Sequence, residues 1–355
     1  MTPTQYLPND YDLFVGLDVD KNSFSFTIRD HDTMNQSKRI PSEPQQLDHY
    51  MQKRFAGKKV LYAYEAGPTG FHLHDYLAEK NLDCLVVSPL SIPKAPNQKV
   101  KNNRIDSQKL VDELRAGKLK SIRVPQDMYR ELRHLINLRE NYVDYRKSSK
   151  QRIKALLLYA HLDYVFKDAE QNWSNNYIQA LEQLPCSPAM RQRLDMLLMD
   201  LEYARKQTSV ILRQLRAFVE SSPEIHQYMQ YLLSVSGIGF ITAVTVLGRI
   251  GDPQYMKNVR ELSAFVGLVP VEHSTGDHVN YGSITHLGDR CLRSLLIESS
   301  WTAIRKDTEL NQFYHRIKNR HHPKIGAKKA IVAVARKLTH RIYCVLKEQR
   351  LYIVR

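Results

Sequence analysis

Residues Phe14-Val15-Gly16-Leu17-Asp18-Val19-Asp20-Lys21 run apolar into acid, turn at Lys21-Asn22, and resume as the alternating Ser23-Phe24-Ser25-Phe26-Thr27-Ile28. No other stretch constrains the fold as tightly, because it reads as a buried strand that hairpins into a second strand of period two. It also sets a carboxylate, Asp18, between Val15, Leu17 and Val19. A charge in such surroundings costs several kcal/mol unless it is paired, hydrogen-bonded or metal-bound. Asp18 is therefore either a strand-end acid that caps a turn or one member of a site, and both readings stand at this point.

The pattern continues as an α/β domain. Strands are expected over 36–40, 59–64 and 84–87, with helices over 44–54 and 71–79. Glu65-Ala66-Gly67-Pro68-Thr69-Gly70 forms the turn out of the strand that ends at Tyr64. The segment 88–103, with Pro89, Pro93 and Pro96 and several lysines, is long for a connection inside a compact domain, which favours function. A helix over 105–116 follows it.

Helical spacing takes over from Gln126 to about Phe166, and again from Pro188 to Glu220. In the second tract Leu194, Leu201, Thr208 and Leu215 take one seam position, and Leu197, Ala204, Ile211 and Phe218 the other. Such a heptad seam closes either on the preceding helix, as an antiparallel hairpin, or on a second subunit, as a coiled coil. After Ser221-Ser222-Pro223 a mainly helical region begins, with helices expected over 239–250, 258–266, 287–306 and 325–348. The domains are accordingly 1–125, 126–222 and 223–355.

Length, at 355 residues, suits two or three domains. Lys and Arg outnumber Asp and Glu by 52 to 37, a net charge of +15, which points to a polyanionic partner and chiefly to nucleic acid. The four cysteines are scattered without a C-x-x-C pair, so neither a zinc site nor a disulfide framework is indicated. No signal peptide and no membrane-length apolar run is visible, so a cytoplasmic, nucleoid-associated protein is expected.

Three acids share the chemistry of a hard-metal site. Asp18 and Glu65 each end an apolar strand, and Asp106 opens the helix after the basic run Lys99-Val100-Lys101-Asn102-Asn103-Arg104. Carboxylates on one rim repel each other without cations, and such a set suits two divalent ions in phosphodiester displacement. Oxygen ligands favour Mg2+ or Mn2+ over zinc. The alternative for Asp106 is an ordinary first-turn acid. Farther on, Gly267-Leu268-Val269-Pro270 leads to Ser274-Thr275-Gly276, and Gly282-Ser283-Ile284-Thr285 to Arg290 and Arg293. A serine nucleophile with guanidinium groups nearby would suit phosphoryl chemistry, and a plain turn is the other reading.

Two further stretches suggest polyanion contact. Leu233-Ser234-Val235-Ser236-Gly237-Ile238-Gly239-Phe240 is similar to the turn of helix-hairpin-helix modules, whose backbone N–H groups face a phosphate; a helix–helix turn is the alternative. Between Arg316 and Arg341, Lys318, Arg320, Lys324, Lys328, Lys329, Arg336 and Lys337 occur without a single acid, too one-signed for an ordinary solvated face.

Taken in order, Val15-Gly16-Leu17-Asp18-Val19, Tyr64-Glu65-Ala66-Gly67-Pro68, Ser91-Ile92-Pro93-Lys94, the Lys101–Ser107 segment, Gly267–Pro270 with Ser274-Thr275-Gly276, and Gly282–Thr285 resemble the DEDD-type insertion-sequence transposases. That group includes the Piv-like DNA invertases and the bridge-RNA-guided recombinases, and the resemblance spans about 12–345. It implies an RuvC-like (RNase H-like) α/β domain, a helical coiled-coil spacer and a mainly α C-terminal transposase domain.

By motif it makes Asp18, Glu65 and Asp106 catalytic metal ligands for Mg2+ or Mn2+, with Asn103 at the position of a further family Asp. Ser274 is the implied nucleophile, with Thr275 beside it. The implied partners are double-stranded donor and target DNA, a structured noncoding guide RNA, and further copies of the chain as a dimer or tetramer, with no membrane. Lys99, Lys101, Arg104, Arg290, Arg293, Arg316, Lys318, Arg320, Lys324, Lys328 and Lys329 are the expected nucleic-acid contacts. Two rivals remain: a metal-dependent junction nuclease in which water attacks, and a nucleic-acid-binding protein that has lost catalysis, which Asn103 in place of an acid makes conceivable.

Overall fold

A computed structural model describes residues 6–89, 91–92, 103–163, 173–272, 281–285 and 287–353, with the backbone alone at Asn103, Arg104 and Tyr281. It divides into two units, Met1–Val124 and Pro125–Arg355.

The first unit holds β1 (Leu13–Val19), β2 (Ser23–Arg29), β3 (Asn35–Pro41), α1 (Pro44–Phe55), β4 (Val60–Glu65), α2 (His72–Glu79), β5 (Asp83–Val87) and α3 (Asn103–Arg115). The strands line up as β3-β2-β1-β4-β5. β1, β2 and β3 are antiparallel neighbours, whereas β4 runs parallel to β1 and β5 parallel to β4. The local pairs follow from short turns, and the parallel pairs need the crossovers that α1 and α2 supply.

Strand alternation gives the sheet two cores. Leu13, Val15, Leu17, Tyr62 and Tyr64 pack with Leu47 and Met51 of α1 and Leu73 and Leu77 of α2. Phe14, Leu61, Ala63 and Leu85 pack on the other face with Leu110, Val111 and Leu114 of α3. β1 is covered on both faces, as its unbroken apolar run requires, while β3 is almost wholly exposed.

The second unit contains α4 (Asp127–Tyr159), α5 (Asn175–Glu182), α6 (Pro188–Ser221), α7 (Pro223–Leu233), α8 (Phe240–Ile250), α9 (Val259–Val266), β6 (Pro270–Glu272), β7 (Tyr281–Ile284), α10 (Arg290–Lys306), α11 (Thr308–Asn319) and α12 (Pro323–Lys347). Tyr129, Leu132 and Ile136 near the start of α4 share a core with Ile211, Leu215 and Val219 near the end of α6. Ile153, Leu156 and Leu157 near the end of α4 pack with Leu194, Leu197 and Leu201 near the start of α6. The two long helices are therefore antiparallel, and the heptad seam is buried within one chain. Ser187 caps α6 by accepting from the Met190 amide, and Pro188 takes the first helical position.

The same core continues through Leu232, Val244, Leu247, Leu296, Val334 and Leu338. Helices α5, α7 and α11 and the β6–β7 hairpin were not among the expected elements. Of these α11 carries a readable start, because Asp307 caps it by accepting from the Leu310 amide at 2.9 Å. No helix among the described residues is long and apolar enough to cross a membrane.

Candidate functional site

The acid rim is built by strand register. Leu17 lies opposite Tyr64 in the parallel β1–β4 pair, so the next step sets Asp18 beside Glu65. Parallel neighbours are about 4.8 Å apart and matched residues share a face. For Asp18 and Glu65 this is the α3 face, since Phe14, Gly16 and Asp18 alternate with residues of the opposite core, as do Leu61, Ala63 and Glu65. Asp18 is half-buried and Glu65 exposed.

Helix α3 brings the third acid. It docks at Gly16, where an added Cβ would lie 2.6 Å from both the Ser107 carbonyl oxygen and the Val111 amide nitrogen. Thr27, paired with Gly16, stands 2.9 Å from both the Ser107 and Ser37 hydroxyls. Arg29, paired with Phe14, forms an ion pair with Asp112 at 2.7 Å. Advancing along β1 from Phe14 to Gly16 thus moves back along α3 from Asp112 to Ser107, so α3 runs against β1. Its first turn points to the strand end that carries Asp18. Asp106 is half-buried in that turn, and Asn103 begins the helix.

The donors are all carboxylate oxygens, which suits a hard divalent cation. Two of the three positions are neighbours by register. Even so, no group of three or more His, Cys, Asp or Glu residues among the described residues is gathered closely enough to hold an ion.

The second candidate centre begins with the β6–β7 hairpin, in which Pro270 pairs with Ile284 and Glu272 with Tyr281. Ser274 and Thr275 lie outside the described residues, so only the two arms around them are in view. Arg293 is buried, and its Nη1 donates to the carbonyls of Val266 and Leu287, each at 3.1 Å. The Thr285 amide donates to the Val269 carbonyl at 3.0 Å, and the Asp289 amide to the Phe265 carbonyl at 2.9 Å. Asp289 also caps α10 by accepting from the Leu292 amide at 2.7 Å.

An ionic network behind the hairpin carries these contacts inward. Arg249 lies 3.2 Å from Asp289 through Nε and donates to Glu140 at 2.7 Å through Nη2. Arg133 donates to the carbonyls of Gly248 and Arg249. Burial, and then the Glu140 hydrogen bond, push the Cys291 thiol up to about 12.

Arg293, expected as a nucleic-acid contact, is buried. Its guanidinium ties together the loops at the base of the hairpin through the backbone carbonyls of Val266 and Leu287. Arg290 is exposed on the first turn of α10. In the basic stretch, Arg316, Arg320, Lys324, Lys328 and Lys329 are exposed and Lys318 is half-buried. Arg316 stacks over Phe313 at 5.2 Å. Lys337 and Arg341 already have intramolecular partners, Lys337 at the surface with Glu309 at 2.5 Å, and the buried Arg341 with Asp307 at 2.6 Å and Glu309 at 2.8 Å. Lys99 and Lys101 lie outside the described residues.

The turn around Gly237, similar in sequence to that of helix-hairpin-helix modules, joins α7 to α8. Gly237 there is pressed on α10, with the Ser299 carbonyl oxygen 2.6 Å from where a Cβ would stand, and Thr242 shares a 3.0 Å hydrogen bond with Ser299. That part of the turn is a packing surface. Sequence reasoning missed Thr27, Ser107 and the Glu140–Arg249–Asp289 network; of these only the capping Asp289, just after Gly288, carries a local signal.

Comparison with known proteins identifies the family. Residues 15–161 match the transposase family model of the DEDD, IS110 type, and residues 229–315 match that of the Transposase IS116/IS110/IS902 family. The chain is 30% identical over 245 residues to "Putative transposase y4qE" of Sinorhizobium fredii, covering 68% of this chain and 58% of that protein. It is 25% identical over 257 residues to the transposase for insertion sequence element IS1111A of Coxiella burnetii, covering 71% and 68%. It is also 27% identical over 139 residues to the pilin gene-inverting protein of Moraxella bovis, covering 39% and 42%. The alignment with the Sinorhizobium protein thus spans little more than half of that relative. Two models in the expected order, with insertion-sequence transposases and a gene-inverting protein among the relatives, give one answer: the chain belongs to the DEDD-type insertion-sequence transposases of the IS110 family.

Proposed function

We propose that the protein cuts and exchanges DNA strands for an insertion sequence, with Ser274 as nucleophile and Asp18, Glu65 and Asp106 as the metal-holding acids. The observation that carries this reading is the β1–β4 register, which sets Asp18 beside Glu65 at the end of the sheet toward which α3 points its first turn. The strand order β3-β2-β1-β4-β5 suits an RuvC-like domain. Mg2+ or Mn2+, held by these acids with Asn103 as a neutral oxygen donor, would supply charge neutralisation at a phosphodiester.

In the proposed reaction the Ser274 Oγ forms a bond to phosphorus as one phosphorus–deoxyribose oxygen bond breaks, and the serine proton leaves as the departing oxygen gains one. One phosphodiester is exchanged for another, so attack by a deoxyribose hydroxyl on phosphoserine reverses the step without an external energy source. Donor and target duplexes are the substrates, a structured noncoding RNA is the guide that the family resemblance supplies, and the acting form is a dimer or tetramer.

The test is a covalent adduct assay on the full chain with element-end DNA and the adjoining noncoding RNA. Wild type gives a protein–DNA adduct that survives denaturation, and Ser274→Ala and Asp18→Ala each abolish it. Cleavage by Ser274→Ala without adduct would favour water as the nucleophile, and recombination that persists in Asp18→Ala would remove the acid rim from the reaction.

A further inference from the structure

Helix α4 carries a row of cations that neither centre uses. Arg139, Arg146, Lys150 and Lys154 recur at spacings of seven, four and four residues, which returns them to one side of a helix. At about 1.5 Å per residue the row is roughly 22 Å long, the length of six to seven nucleotide steps of a duplex strand. Arg205 of α6 joins it, because Lys150 stands within electrostatic reach of Arg146, Arg205 and Lys154 together.

Several acids of α4 and α6 among the described residues have partners of their own. Glu140 binds Arg249, Asp195 binds Arg191 at 2.7 Å, and Asp200 accepts a hydrogen bond from Tyr145. Glu202 approaches Arg205, at 3.8 Å. Lys150 lies over the Trp173 ring at 5.2 Å, and Arg205 donates to the Trp173 carbonyl, so one aromatic residue holds both cations at the same end of the row.

The electrostatics agree with this geometry. Burial, then Arg146, Arg205 and Lys154, lower the Lys150 ammonium from its ordinary value, and burial followed by Arg146 does the same to the Arg139 guanidinium. Like charges held this closely repel unless counter-charge is supplied. At its lower end the row does not stop in empty surface, since Arg139 is within reach of Cys291 on the first turn of α10, next to the exposed Arg290. That turn follows the β7 arm of the hairpin around Ser274.

We infer that Arg139, Arg146, Lys150 and Lys154 of α4, with Arg205 of α6, bind the phosphate backbone of duplex DNA and lead it from the serine hairpin along the α4–α6 helix pair. The inference rests on the proposed function for its choice of DNA. The charge row itself does not. Contacts of this kind carry no base specificity and position the duplex.

The experiment measures binding of full-length protein to a short fluorescent duplex by anisotropy across a salt series. All proteins carry Ser274→Ala, so no outcome depends on chemistry. Each phosphate contact contributes about 0.9 to the slope of log K against log salt, so Arg146→Gln with Lys150→Gln should lower the slope by about 1.8 and weaken binding at least tenfold at low salt. Arg152→Gln removes an exposed charge about 140° around the helix from Arg139 and should leave the slope unchanged.

Circular dichroism of each variant verifies folding. Equal slopes in the folded Ser274→Ala parent and the double variant would overturn the inference, as would a loss confined to structured RNA. If unmodified protein forms no serine adduct in the separate adduct assay while the double variant shows the full slope change, the proposed reaction fails and this surface stands.

Discussion

Replacing Gly16 by Ala tests the contact that fixes the acid rim. The added methyl would meet the Ser107 carbonyl oxygen and the Val111 amide nitrogen at 2.6 Å and the Val111 Cβ at 2.9 Å. Two of these are backbone atoms of α3, so no side-chain rotation relieves the overlap. Restoring ordinary contact near 3.5 Å requires α3 to withdraw by about 0.9 Å. That movement stretches the Thr27–Ser107 hydrogen bond, 2.9 Å at present, and opens the buried layer of Leu110, Val111 and Leu114.

Overpacking of this kind costs about 1–3 kcal/mol. In a unit of this size the cost lowers the midpoint of thermal unfolding by on the order of 5–10 °C. Gly67→Ala is the matched control, because its nearest neighbour would be the Glu65 carbonyl oxygen at 3.9 Å, and it should remain within about 0.5 kcal/mol of wild type. Thermal melts of the full chain, with hydrogen exchange read on the α3 amides, measure both. If Gly16→Ala melts with wild type and its α3 amides stay equally protected, the docking described for α3 is wrong.

Two further outcomes concern the ionic cluster beneath α11 and α12. Arg341→Met leaves Asp307 as a buried carboxylate without its 2.6 Å partner and should cost about 3–5 kcal/mol in chemical denaturation, a loss that Arg341→Met with Asp307→Asn partly recovers. Glu309 is held below its ordinary value of 4.5 by its Lys337 hydrogen bond, with Arg341 adding to the effect. A depressed carboxylate stabilises the folded state fully above its unfolded value and loses that contribution as pH falls through its folded value. The stability gap between wild type and Glu309→Gln should therefore close as the pH drops below 4.5, and a gap that stays constant there would refute the pairing.

Much of the fold was legible because period and turn chemistry agree. The β1–β2 hairpin, the buried β4 run and the Ser187-Pro188 start of α6 each carry their own local signal. The Asp18–Glu65 adjacency was legible only as a pair of strand-end acids; its register depends on pairing across 47 residues, which no local pattern encodes. The seam of α6 was visible, but its partner was not, since heptad spacing is the same whether a helix closes on its own chain or on another. The burial of Arg293 was hidden for a related reason. A basic residue beside a glycine-rich loop looks identical in sequence whether its guanidinium faces solvent or holds the carbonyls of Val266 and Leu287. The short α11 was missed although Asp307 announces it, because Arg341 and the acids it pairs with lie far apart along the chain.

The parallel pairing of β1 with β4 also bears on how the protein comes into being. The β1–β2 and β2–β3 ladders close over short turns, whereas β1 can meet β4 only after β3 and α1 have carried the chain across the sheet. Contacts at that sequence distance form late, because the loop-closure entropy must be overcome first. Until then Asp18 stands at the end of the β1–β2 hairpin without Glu65 at its side. The Asp18–Glu65 adjacency therefore appears only when β4 joins β1, after the hairpin that carries Asp18 is complete.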